Sequence, residues 1–371
     1  MQFSRGTFVG RIWREDLQGP SVVTIRNGHV IDITSKQAPT MRDLLEMREP
    51  AEFAATAAGC DMGDLQALAN SDFSLLAPLD LQAIKACGVT FAQSMIERVV
   101  EERAAGLPSE AARIRSTIAE IVGGSLRFLR AGSEEAGRLK ELLVREGVWS
   151  QYLEVGIGPD AEIFTKAPVL SAVGHNAKIG ILASSRWNNP EPEIVLAIDS
   201  RGKIKGATLG NDVNLRDIEG RSALLLGKAK DNNASCSIGP FIRLFDSTFC
   251  IDDVRSAELT LEVRGPDGYV LNGRSSMKEI SRDPLDLVSQ TIGPHHQYPD
   301  GLMLFLGTLF APVEDREHSG EGFTHKVGDV VSISCEGLGQ LRNTVGLSTD
   351  CEPWTFGIAE LMRNLAAREL I

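Results

Sequence analysis

Residues 189–198, NPEPEIVLAI, carry two glutamates directly into an uninterrupted apolar run. Residues two apart on a β-strand point to the same face, so the carboxylates of Glu191 and Glu193 are expected to converge. The turn-like text GNDVNLRD at residues 210–217 follows and presents Asp212. Three carboxylates are hard oxygen ligands that suit Mg²⁺ or Mn²⁺ better than zinc. A solvated acidic strand edge is the alternative that this spacing leaves open.

The text around this stretch is rich in short strands. From residue 152 onwards, β-like runs alternate with turns that contain Gly, Asn, Asp and Pro; the runs are EIFTK (162–166), EIVLAID (193–199), AELTLEVRG (257–265) and DVVSISCEG (329–337). This pattern is typical of a β-dominated catalytic domain. The predicted fold class is therefore α+β and rich in strands.

The beginning of the chain predicts a small β-meander followed by helix. Apolar and polar residues alternate over residues 8–35, with breaks at Gly19-Pro20 and Asn27-Gly28. Such breaks predict hairpin turns at both places. Residues 41–70 are rich in Ala, Leu, Met and Glu, which predicts helical structure.

A domain boundary is predicted near residue 80, after LLAPLD (75–80), which is typical of a connecting strand. The boundary separates a small N-terminal domain, residues 1–80, from a catalytic domain, residues 81–371. The catalytic domain opens with patterns that predict three helices, namely FAQSMIERVVEERA (91–104), SEAARIRSTIAEIV (109–122) and SEEAGRLKELLVRE (133–146).

The bulk properties favour a folded enzyme. The chain has 371 residues, 43% of them hydrophobic, and a formal net charge of -12. That charge repels polyphosphate, so nucleic acid is not an expected partner. The longest apolar stretch, residues 302–313, is shorter than the roughly 20 residues that a bilayer-spanning helix needs, so no membrane association and a cytoplasmic location are expected. The six cysteines form no C-x-x-C pair and are expected to be reduced thiols.

Four motifs resemble those of the fumarylacetoacetate hydrolase superfamily and come in the same order. They are the E-x-E strand, the turn NDVNLRD (211–217), the stretch from GKAKD (227–231) to IGP (238–240), and GDV (328–330) followed by LRNTV (341–345). The resemblance covers most of the chain. It implies a catalytic domain built on a rolled mixed β-sheet and assembly as a homodimer or homotetramer.

The same resemblance implies roles for single residues. In that family the two glutamates and the first aspartate of the turn hold a divalent metal. The implied ligands of Mg²⁺, or of Mn²⁺, are Glu191, Glu193 and Asp212. The positions that would face the substrate are Arg216, Lys228 and Thr344. Taken without the resemblance, Lys228 would be interpreted as an ordinary surface residue.

One departure from the family pattern bears on the reaction. Hydrolases and acylpyruvases of the family carry an N-Y-x-x-H-x-x-E helix start, whose His and Glu activate water. The matching text here, TFAQSMIE (90–97), keeps Glu97 but has Ser94 in place of the histidine. Water activation therefore lacks its usual base, which disfavours C–C hydrolysis. Glu97 is expected to be catalytic and Ser94 to bind substrate, although Glu97 alone would be interpreted as a solvated helix residue.

Over nearly its full length the text resembles the 2-keto-3-deoxypentonate dehydratases of this superfamily. The resemblance implies a Mg²⁺-dependent dehydratase that acts on a small 2-keto-3-deoxy sugar acid and converts 2-keto-3-deoxy-D-xylonate to 2,5-dioxopentanoate. Glu162 is expected to be the base, with Lys228 as an electrostatic partner and Lys166 beside them. Lys230 takes the place of Lys228 if the alignment around Gly227 shifts. A hydrolase of acylpyruvates or other β-diketo acids and a non-catalytic relative are the alternatives.

Other chemistry-bearing text receives structural interpretations. Adjacent residues point apart, so His295-His296 is not expected to bind one metal, and His325 is expected to be structural or hydrogen-bonded at the surface. GIGPDA (156–161) has the outline of a dinucleotide-binding fingerprint, but Pro159 and the β-like residues after it contradict the required helix. No G-x-S-x-G elbow occurs, which removes the common serine hydrolase signature.

Overall fold

The computed structural model describes residues 6–69, 74–105, 107, 109–111, 113–116, 129–147, 149–310, 312, 314–316 and 322–371. The strands among them are β1 (Phe8–Arg14), β2 (Gly19–Arg26), β3 (His29–Asp32), β4 (Cys60–Asp64), β5 (Leu75–Leu76), β6 (Ala83–Gly88), β7 (Glu162–Ala167), β8 (Lys178–Ile181), β9 (Asn188–Asn189), β10 (Pro192–Ile198), β11 (Ile204–Asp212), β12 (Asn214–Leu215), β13 (Cys236–Leu244), β14 (Glu258–Arg264), β15 (Val270–Ser276), β16 (Leu302–Phe305), β17 (Val330–Cys335) and β18 (Gly339–Leu347).

The α-helices are α1 (Met41–Glu46), α2 (Pro50–Thr56), α3 (Leu65–Ala69), α4 (Ala92–Arg103), α5 (Glu134–Arg145), α6 (Gln151–Ile157), α7 (Arg216–Glu219), α8 (Leu226–Lys230), α9 (Ile251–Arg255), α10 (Pro284–Thr291) and α11 (Ile358–Ala367). Residues 109–111 and 113–116 are helical as well. None of the helices in the described ranges combines the length and the apolar character that crossing a bilayer requires.

Two large sheets organise the molecule. The larger has the order β4-β3-β2-β1-β13-β11-β10-β16-β6-β7, with β5 pairing to β1, and the smaller has the order β15-β14-β17-β18-β8. Each sheet is mixed, because β16 pairs with β6, and β18 with β8, in parallel, whereas their other pairings are antiparallel. The predicted strand-rich α+β fold with mixed sheets is therefore confirmed.

The N-terminal strands belong to the larger sheet. Strand β1 pairs with β13, so that Phe8 lies opposite Arg243 and Val9 opposite Ile242. The strands before residue 80 thus continue a sheet whose other members come from the second half of the chain. The division at residue 80 stays a prediction, and it divides a continuous sheet.

Two local predictions for the N-terminal region need correction. The first turn lies at residues 15–18, where Gln18 adopts the left-handed region with φ of 46°, and Gly19 and Pro20 already belong to β2. The second turn is confirmed, since Asn27 and Gly28 have φ of 53° and 82°, as a two-residue hairpin turn requires. Of the predicted helical region 41–70, the described residues form three short helices, α1, α2 and α3, and also β4, which is drawn into a strand by its pairing with β3.

The helices after residue 90 follow the predicted patterns where they are described. Helix α4 is confirmed, and so is α5, whose capping residue Ser133 accepts a hydrogen bond from the Ala136 amide. In the remaining pattern, residues 109–122, residues 109–111 and 113–116 are helical, and the others lie outside the described residues. Helix α6, within the region predicted to be β-rich, is an addition that the sequence pattern did not indicate.

Strand β10 lies in the middle of the larger sheet, between β11 and β16. Its alternate side chains enter two separate cores: Ile194, Leu196 and Ile198 pack toward the smaller sheet, and Val195 and Ala197 pack into a core that includes α1 and α2. Every residue of the strand is buried. The E-x-E sequence is therefore held by a strand that is fixed on both faces.

Candidate metal centre

Three carboxylates meet where β10 begins and β11 ends. The two strands run antiparallel, with Pro192 opposite Asn211, which places Glu191 beside Asp212. The Asp212 amide donates to the Glu191 carbonyl at 3.0 Å. Carboxylate oxygens of Glu191, Glu193 and Asp212 lie within 4.8 Å of one another. All three side chains are buried, so a solvated strand edge is the wrong interpretation of this acidic text.

Three cations contact this triad. The Lys230 ammonium donates to Glu191 Oε2 at 2.5 Å and to Asp212 Oδ2 at 3.1 Å. Lys166 Nζ lies 2.9 Å from Asp212 Oδ1, and Arg98 donates to Glu191 Oε1. The fold therefore places three positively charged side chains against the carboxylate oxygens of Glu191 and Asp212.

Arg98 also contacts a second group of buried charged residues. The Arg98 guanidinium is 2.5 Å from Glu101 Oε2 and 3.0 Å from Glu219 Oε2. Arg216 Nε lies 3.1 Å from the other oxygen of Glu101, and its guanidinium stands over the Trp187 ring. Helix α4 and helix α7 are thereby joined to the triad through ion pairs.

The connected cluster contains more carboxyl groups than cations. Counting the triad, its cation partners and the cavity residues, four cations (Arg98, Lys166, Arg216 and Lys230) face six carboxylates (Glu101, Glu162, Glu191, Glu193, Asp212 and Glu219). With all ten groups ionised, the cluster has two uncompensated negative charges. Buried charge that is not compensated is costly, and a divalent cation bound by hard oxygens would balance it. The residues present therefore fit Mg²⁺ or Mn²⁺.

The pKa values within the triad diverge. Burial, followed by the charges of Asp212 and Glu191, raises the pKa of Glu193 well above its usual value. Burial alone would also raise the pKa of Glu191, but the neighbouring Arg98 and Lys230 outweigh it and lower the value. Glu193 accepts a hydrogen bond from the Gly307 amide at 2.6 Å. Glu193 thus lacks a cation contact of the kind that its two neighbours have, within the part of the chain that the structure describes.

The triad faces a small cavity. The residues that line it are Cys87, Gly88, Val89, Ser94, Arg98, Glu162, Phe164, Glu191, Glu193, Asp212, Glu219, Lys230 and Thr308. Its volume is about 20 Å³, little more than one water requires. A small organic molecule would enter only after neighbouring side chains move.

Glu162 is a cavity residue whose pKa lies near neutral pH. Burial, followed by the charge of Glu219, raises its pKa to about 7. A Cβ atom on Gly88 would lie 1.9 Å from Glu162 Oε2, so the carboxylate occupies space that only glycine leaves open. A carboxyl group of this pKa can both accept and return a proton near pH 7.

The helix α4 residues are placed differently from each other. Ser94 lines the cavity, and its hydroxyl donates to the Phe91 carbonyl at 2.8 Å. Glu97 is buried in a two-pronged pair with Arg115, at 2.7 and 2.8 Å, and is not among the cavity residues. The structure therefore brings Ser94 and Arg98 to the site and holds Glu97 outside the cavity.

The structure also separates the predicted lysines and substrate-facing residues. Lys228 is exposed, whereas Lys230 is buried at the triad, so Lys230 occupies the position that was expected for Lys228. Lys166 lies behind Asp212, and Arg216 lies behind Arg98. Thr344 is on β18 opposite Val330 and is not among the residues that line the cavity.

Sequence reasoning missed three site residues, Arg98, Glu101 and Glu219. Arg98 and Glu101 are three residues apart on α4 and flank the apolar pair Val99-Val100. This position beside an apolar helix face was a signal that both charged side chains are buried. Glu219 sits in the short helix α7 directly after the NDVNLRD turn. The text around it has no periodicity that separates a buried from an exposed glutamate.

The three histidines that the sequence singles out are not among the residues that line the cavity, and one of them, His325, is buried and not at the surface. His295 and His296 are exposed, and the triad is the one group of three or more potential ligands found among the described residues. His325 is buried, with Nδ1 3.1 Å from Asp329 Oδ2. Burial lowers the pKa of His325, which favours its neutral form.

The carboxylate triad lies within a part of the chain that matches a known protein family. Residues 158–346 match the family described as Fumarylacetoacetate (FAA) hydrolase C-terminal. The chain belongs to the fumarylacetoacetate hydrolase family.

Two curated proteins are similar to this chain. A protein of Haloferax volcanii named "Probable 2-keto-3-deoxyxylonate dehydratase" is 31% identical over 194 residues, which are 52% of this chain and 63% of that protein. The "2-dehydro-3-deoxy-D-arabinonate dehydratase" of Saccharolobus solfataricus is 31% identical over 184 residues, 50% of this chain and 58% of that protein. The matched region thus spans about three fifths of the length of each relative.

Solved structures show the same fold. A 2-keto-3-deoxy-D-arabinonate dehydratase complexed with magnesium and 2,5-dioxopentanoate superimposes with a TM-score of 0.66 at 23% identity, covering 92% of this chain and 99% of that chain. A fumarylacetoacetate hydrolase from Exiguobacterium antarcticum gives a TM-score of 0.57 at 16% identity, covering 92% and 99%. At these identities the likeness establishes the fold.

Proposed function

We propose that this chain is a divalent-metal-dependent dehydratase that converts a 2-keto-3-deoxypentonate to 2,5-dioxopentanoate. The observation that carries the proposal is the presence, in one cavity, of a buried carboxylate triad and of Glu162 with a pKa of about 7. The names of the two curated relatives and of the magnesium-bound structure support the same reaction. Keto-acid dehydration needs both parts, a cation for the keto acid and a proton-transfer group.

The substrate we propose is the acid with the D configuration at carbon 4. In a 2-keto-3-deoxypentonate, carbon 4 is the sole stereocentre that remains. The acids derived from D-xylonate and D-arabinonate are therefore the same compound, and the two names carried by the relatives describe one substrate. The acid derived from L-arabinonate has the opposite configuration at carbon 4, so it is the enantiomer of this substrate and is the informative comparison.

Glu191, Glu193 and Asp212 would hold the divalent ion. When bound, the ion supplies positive charge that stabilises negative charge on the 2-keto oxygen of the substrate. Three carboxylates accept both Mg²⁺ and Mn²⁺, and we propose Mg²⁺ as the working ion.

Glu162 acts on the proton of carbon 3 in the first stage. Its carboxylate removes that proton, and the resulting enolate expels the hydroxyl group of carbon 4. The departing hydroxyl takes up the proton from Glu162 and leaves as water, forming a double bond between carbons 3 and 4. The raised pKa suits Glu162 to both halves of this stage, first as base and then as acid.

The second stage moves protons without further loss of atoms. A proton leaves carbon 5 and one returns to carbon 3, which gives the enol of the carbon 5 aldehyde. Transfer of the enol proton to carbon 4 completes 2,5-dioxopentanoate. The overall change is the loss of one water, so the reaction needs no oxidant and no second substrate.

Other residues have supporting roles in this proposal. Lys230, rather than Lys228, provides positive charge beside the keto acid, and Ser94 lies in the cavity where a substrate hydroxyl can bond to it. Lys166 and Arg216 keep Asp212 and Glu101 in place. Contact of Glu97 or Thr344 with substrate would need a rearrangement, so neither is included. Assembly as a homodimer or homotetramer, a cytoplasmic location and the domain division at residue 80 stay predictions.

The second candidate is a hydrolase of acylpyruvates. It would use the same triad, but it needs a base that activates water. Ser94 occupies the position where family hydrolases carry histidine, and Glu97 is paired with Arg115 outside the cavity. This candidate therefore serves as the competing arm of the test.

The test is a substrate panel on purified protein treated with chelator and then supplied with Mg²⁺. The panel contains 2-keto-3-deoxy-D-xylonate, its enantiomer and acetylpyruvate, with product identified by ¹³C NMR and pyruvate measured separately. We expect 2,5-dioxopentanoate from the D acid in the presence of Mg²⁺ and no turnover with chelator. Release of pyruvate from acetylpyruvate, without dehydration of either sugar acid, would replace this proposal with the hydrolase.

A further inference from the structure

The three cations at the triad differ in how firmly they are held. Arg98 contacts Glu101 and Glu219 in addition to Glu191. Lys166 donates to the carbonyl oxygen of Lys230 in addition to its contact with Asp212. Each of these two cations would therefore keep partners if the triad bound a different cation.

Lys230 Nζ has no hydrogen bond or ion pair outside the triad among the described residues. Its ammonium donates to Glu191 Oε2 and Asp212 Oδ2, which belong to two of the three members of the triad. It therefore bridges two of the carboxylates that a divalent ion would use. Its side chain is also a flexible four-carbon chain, whereas the guanidinium of Arg98 is a rigid fork.

We propose that the Lys230 ammonium and the divalent ion exclude each other from Glu191 Oε2 and Asp212 Oδ2, so that metal binding displaces Lys230 into the cavity. Lys230 thus holds the triad together without metal and becomes a substrate-facing cation once metal is bound. Arg98 and Lys166 keep their places throughout. The exchange replaces one positive charge on these oxygens by two.

The displaced ammonium has a destination in the same cavity. The Phe164 ring centroid already lies 6.0 Å from Lys230 Nζ, so a small movement of the ammonium can bring it into a closer cation–π contact. Glu162 and Glu219 line the same cavity and offer carboxyl groups to a displaced cation. Helix α8 is held by backbone hydrogen bonds, so we expect the displacement to consist of rotamer changes in the Lys230 side chain.

The size of the cavity sets a condition on substrate entry. A volume of about 20 Å³ leaves no room for a five-carbon acid. Because a displaced Lys230 ammonium stays within this cavity, other side chains that line it must also move before substrate enters. The substrate-facing part of this inference rests on the proposed function, whereas the exclusion between Lys230 and metal does not.

The test measures metal binding without substrate. Chelator-treated protein is titrated with Mn²⁺ by calorimetry for wild type, Lys230→Met and two controls. Lys228→Met makes the same substitution two residues away on an exposed side chain, and Lys166→Met removes one positive charge next to Asp212. We expect Lys230→Met to tighten Mn²⁺ binding by about tenfold or more, because two positive charges a few ångströms apart repel strongly in a buried site. We expect Lys228→Met to be unchanged and Lys166→Met to change less than Lys230→Met.

Crystal structures of the wild type with and without Mn²⁺ provide the second measurement. The inference predicts that Lys230 Nζ leaves hydrogen-bond distance of Glu191 Oε2 and Asp212 Oδ2 when Mn²⁺ is present. It is overturned if Lys230→Met binds Mn²⁺ no more tightly than wild type, or if Nζ keeps both contacts beside the bound ion. These outcomes are independent of the dehydratase assay, so failure of that assay with normal Mn²⁺ binding would reject the proposed reaction and leave the exchange standing.

Discussion

Two buried charge clusters in this molecule differ in whether their charges are balanced. Asp329, next to β17, accepts two hydrogen bonds from Arg316, at 2.6 and 2.7 Å, and one from the Lys326 amide at 2.9 Å. His325 lies beside it, and burial lowers its pKa so that it stays neutral. Asp267 contacts both Arg316 and Lys326, so two carboxylates face two cations in this cluster. At the triad, by contrast, six carboxylates face four cations.

The difference separates structure from function. A balanced ion pair whose carboxylate is hydrogen-bonded stabilises the fold and leaves no excess charge for a cation. An unbalanced cluster that faces a cavity retains negative charge and titratable groups, at a cost in folding free energy that binding of a cation would offset. Changes at the triad should therefore reduce activity, and changes at Asp329 should reduce stability.

The largest effect is expected for Glu193→Gln. The substitution keeps the shape of the side chain and removes one ligand charge, so we expect kcat/KM to fall by about 10³-fold or more, since a bound metal supplies several kcal/mol of transition-state stabilisation. Steady-state kinetics at saturating Mg²⁺ measure this. Glu360→Gln, on an exposed helix residue, is the control and should match wild type. Full activity of Glu193→Gln would contradict the claim that the triad is required for activity.

Glu162→Gln should lower kcat by about 10²-fold or more, because a positioned general base contributes at least this much. In wild type the rate should rise with pH on an acid limb set by Glu162, near pH 7 or lower once the charge of the metal acts on it. The variant should lose this limb. A pH–rate profile that keeps the same limb in the variant would assign the base to another residue.

The same variant should be more stable than wild type at pH 8 in the absence of metal. The pKa of Glu162 is raised in the folded state to about 7, so the stability associated with its protonated form is present below the unfolded pKa and is lost as the pH rises through 7. Glutamine does not ionise, and we expect a gain of ~1–3 kcal/mol in the free energy of unfolding at pH 8. Urea unfolding at pH 4 and pH 8 checks both the size and the sign, and no gain at pH 8 contradicts it.

Asp329→Asn should show the opposite behaviour. It leaves the buried guanidinium of Arg316 without its main partner, and we expect a loss of ~3 kcal/mol in stability. The affinity of the triad for Mn²⁺ should stay within about twofold of wild type, since the balanced cluster around Asp329 has no excess charge that would bind a metal. Asp267→Asn, which removes the second and more exposed partner of Arg316, is the matched control and should cost less than ~1 kcal/mol.

The smallest effect is expected for Lys228→Met. Its side chain is exposed, so kcat/KM should stay within about twofold of wild type. The matched change Lys230→Met should reduce kcat strongly, because it removes the cation beside the keto acid. Equal losses in both variants would mean that the two lysines are not distinguished as the structure places them.

Some features of the site could be predicted from sequence because they depend on local spacing. Glu191 and Glu193 are two apart on a buried strand, and Asp212 ends the next strand, so strand geometry brings the carboxylates together. The Asn27-Gly28 turn and the Ser133 cap follow from residue types with known backbone preferences. Each of these predictions needed only neighbouring residues.

Other features depend on which helix face meets the sheet, and sequence spacing did not settle that. Lys228 and Lys230 are two apart on a helix and point about 200° apart, so a shift of two positions exchanges a surface residue for a site residue. Glu97 and Arg98 present the same problem on α4, where Arg98 reaches the triad and Glu97 pairs with Arg115. Helix orientation is set by long-range packing, which short motifs do not encode.

The most direct test of the central claim is anomalous diffraction from crystals soaked in Mn²⁺. The account predicts one strong anomalous peak at coordination distance from carboxylate oxygens of Glu191, Glu193 and Asp212, and loss of that peak in Glu193→Gln. A peak elsewhere, or clear density for the triad without any Mn²⁺ at a concentration that saturates activity, would contradict it.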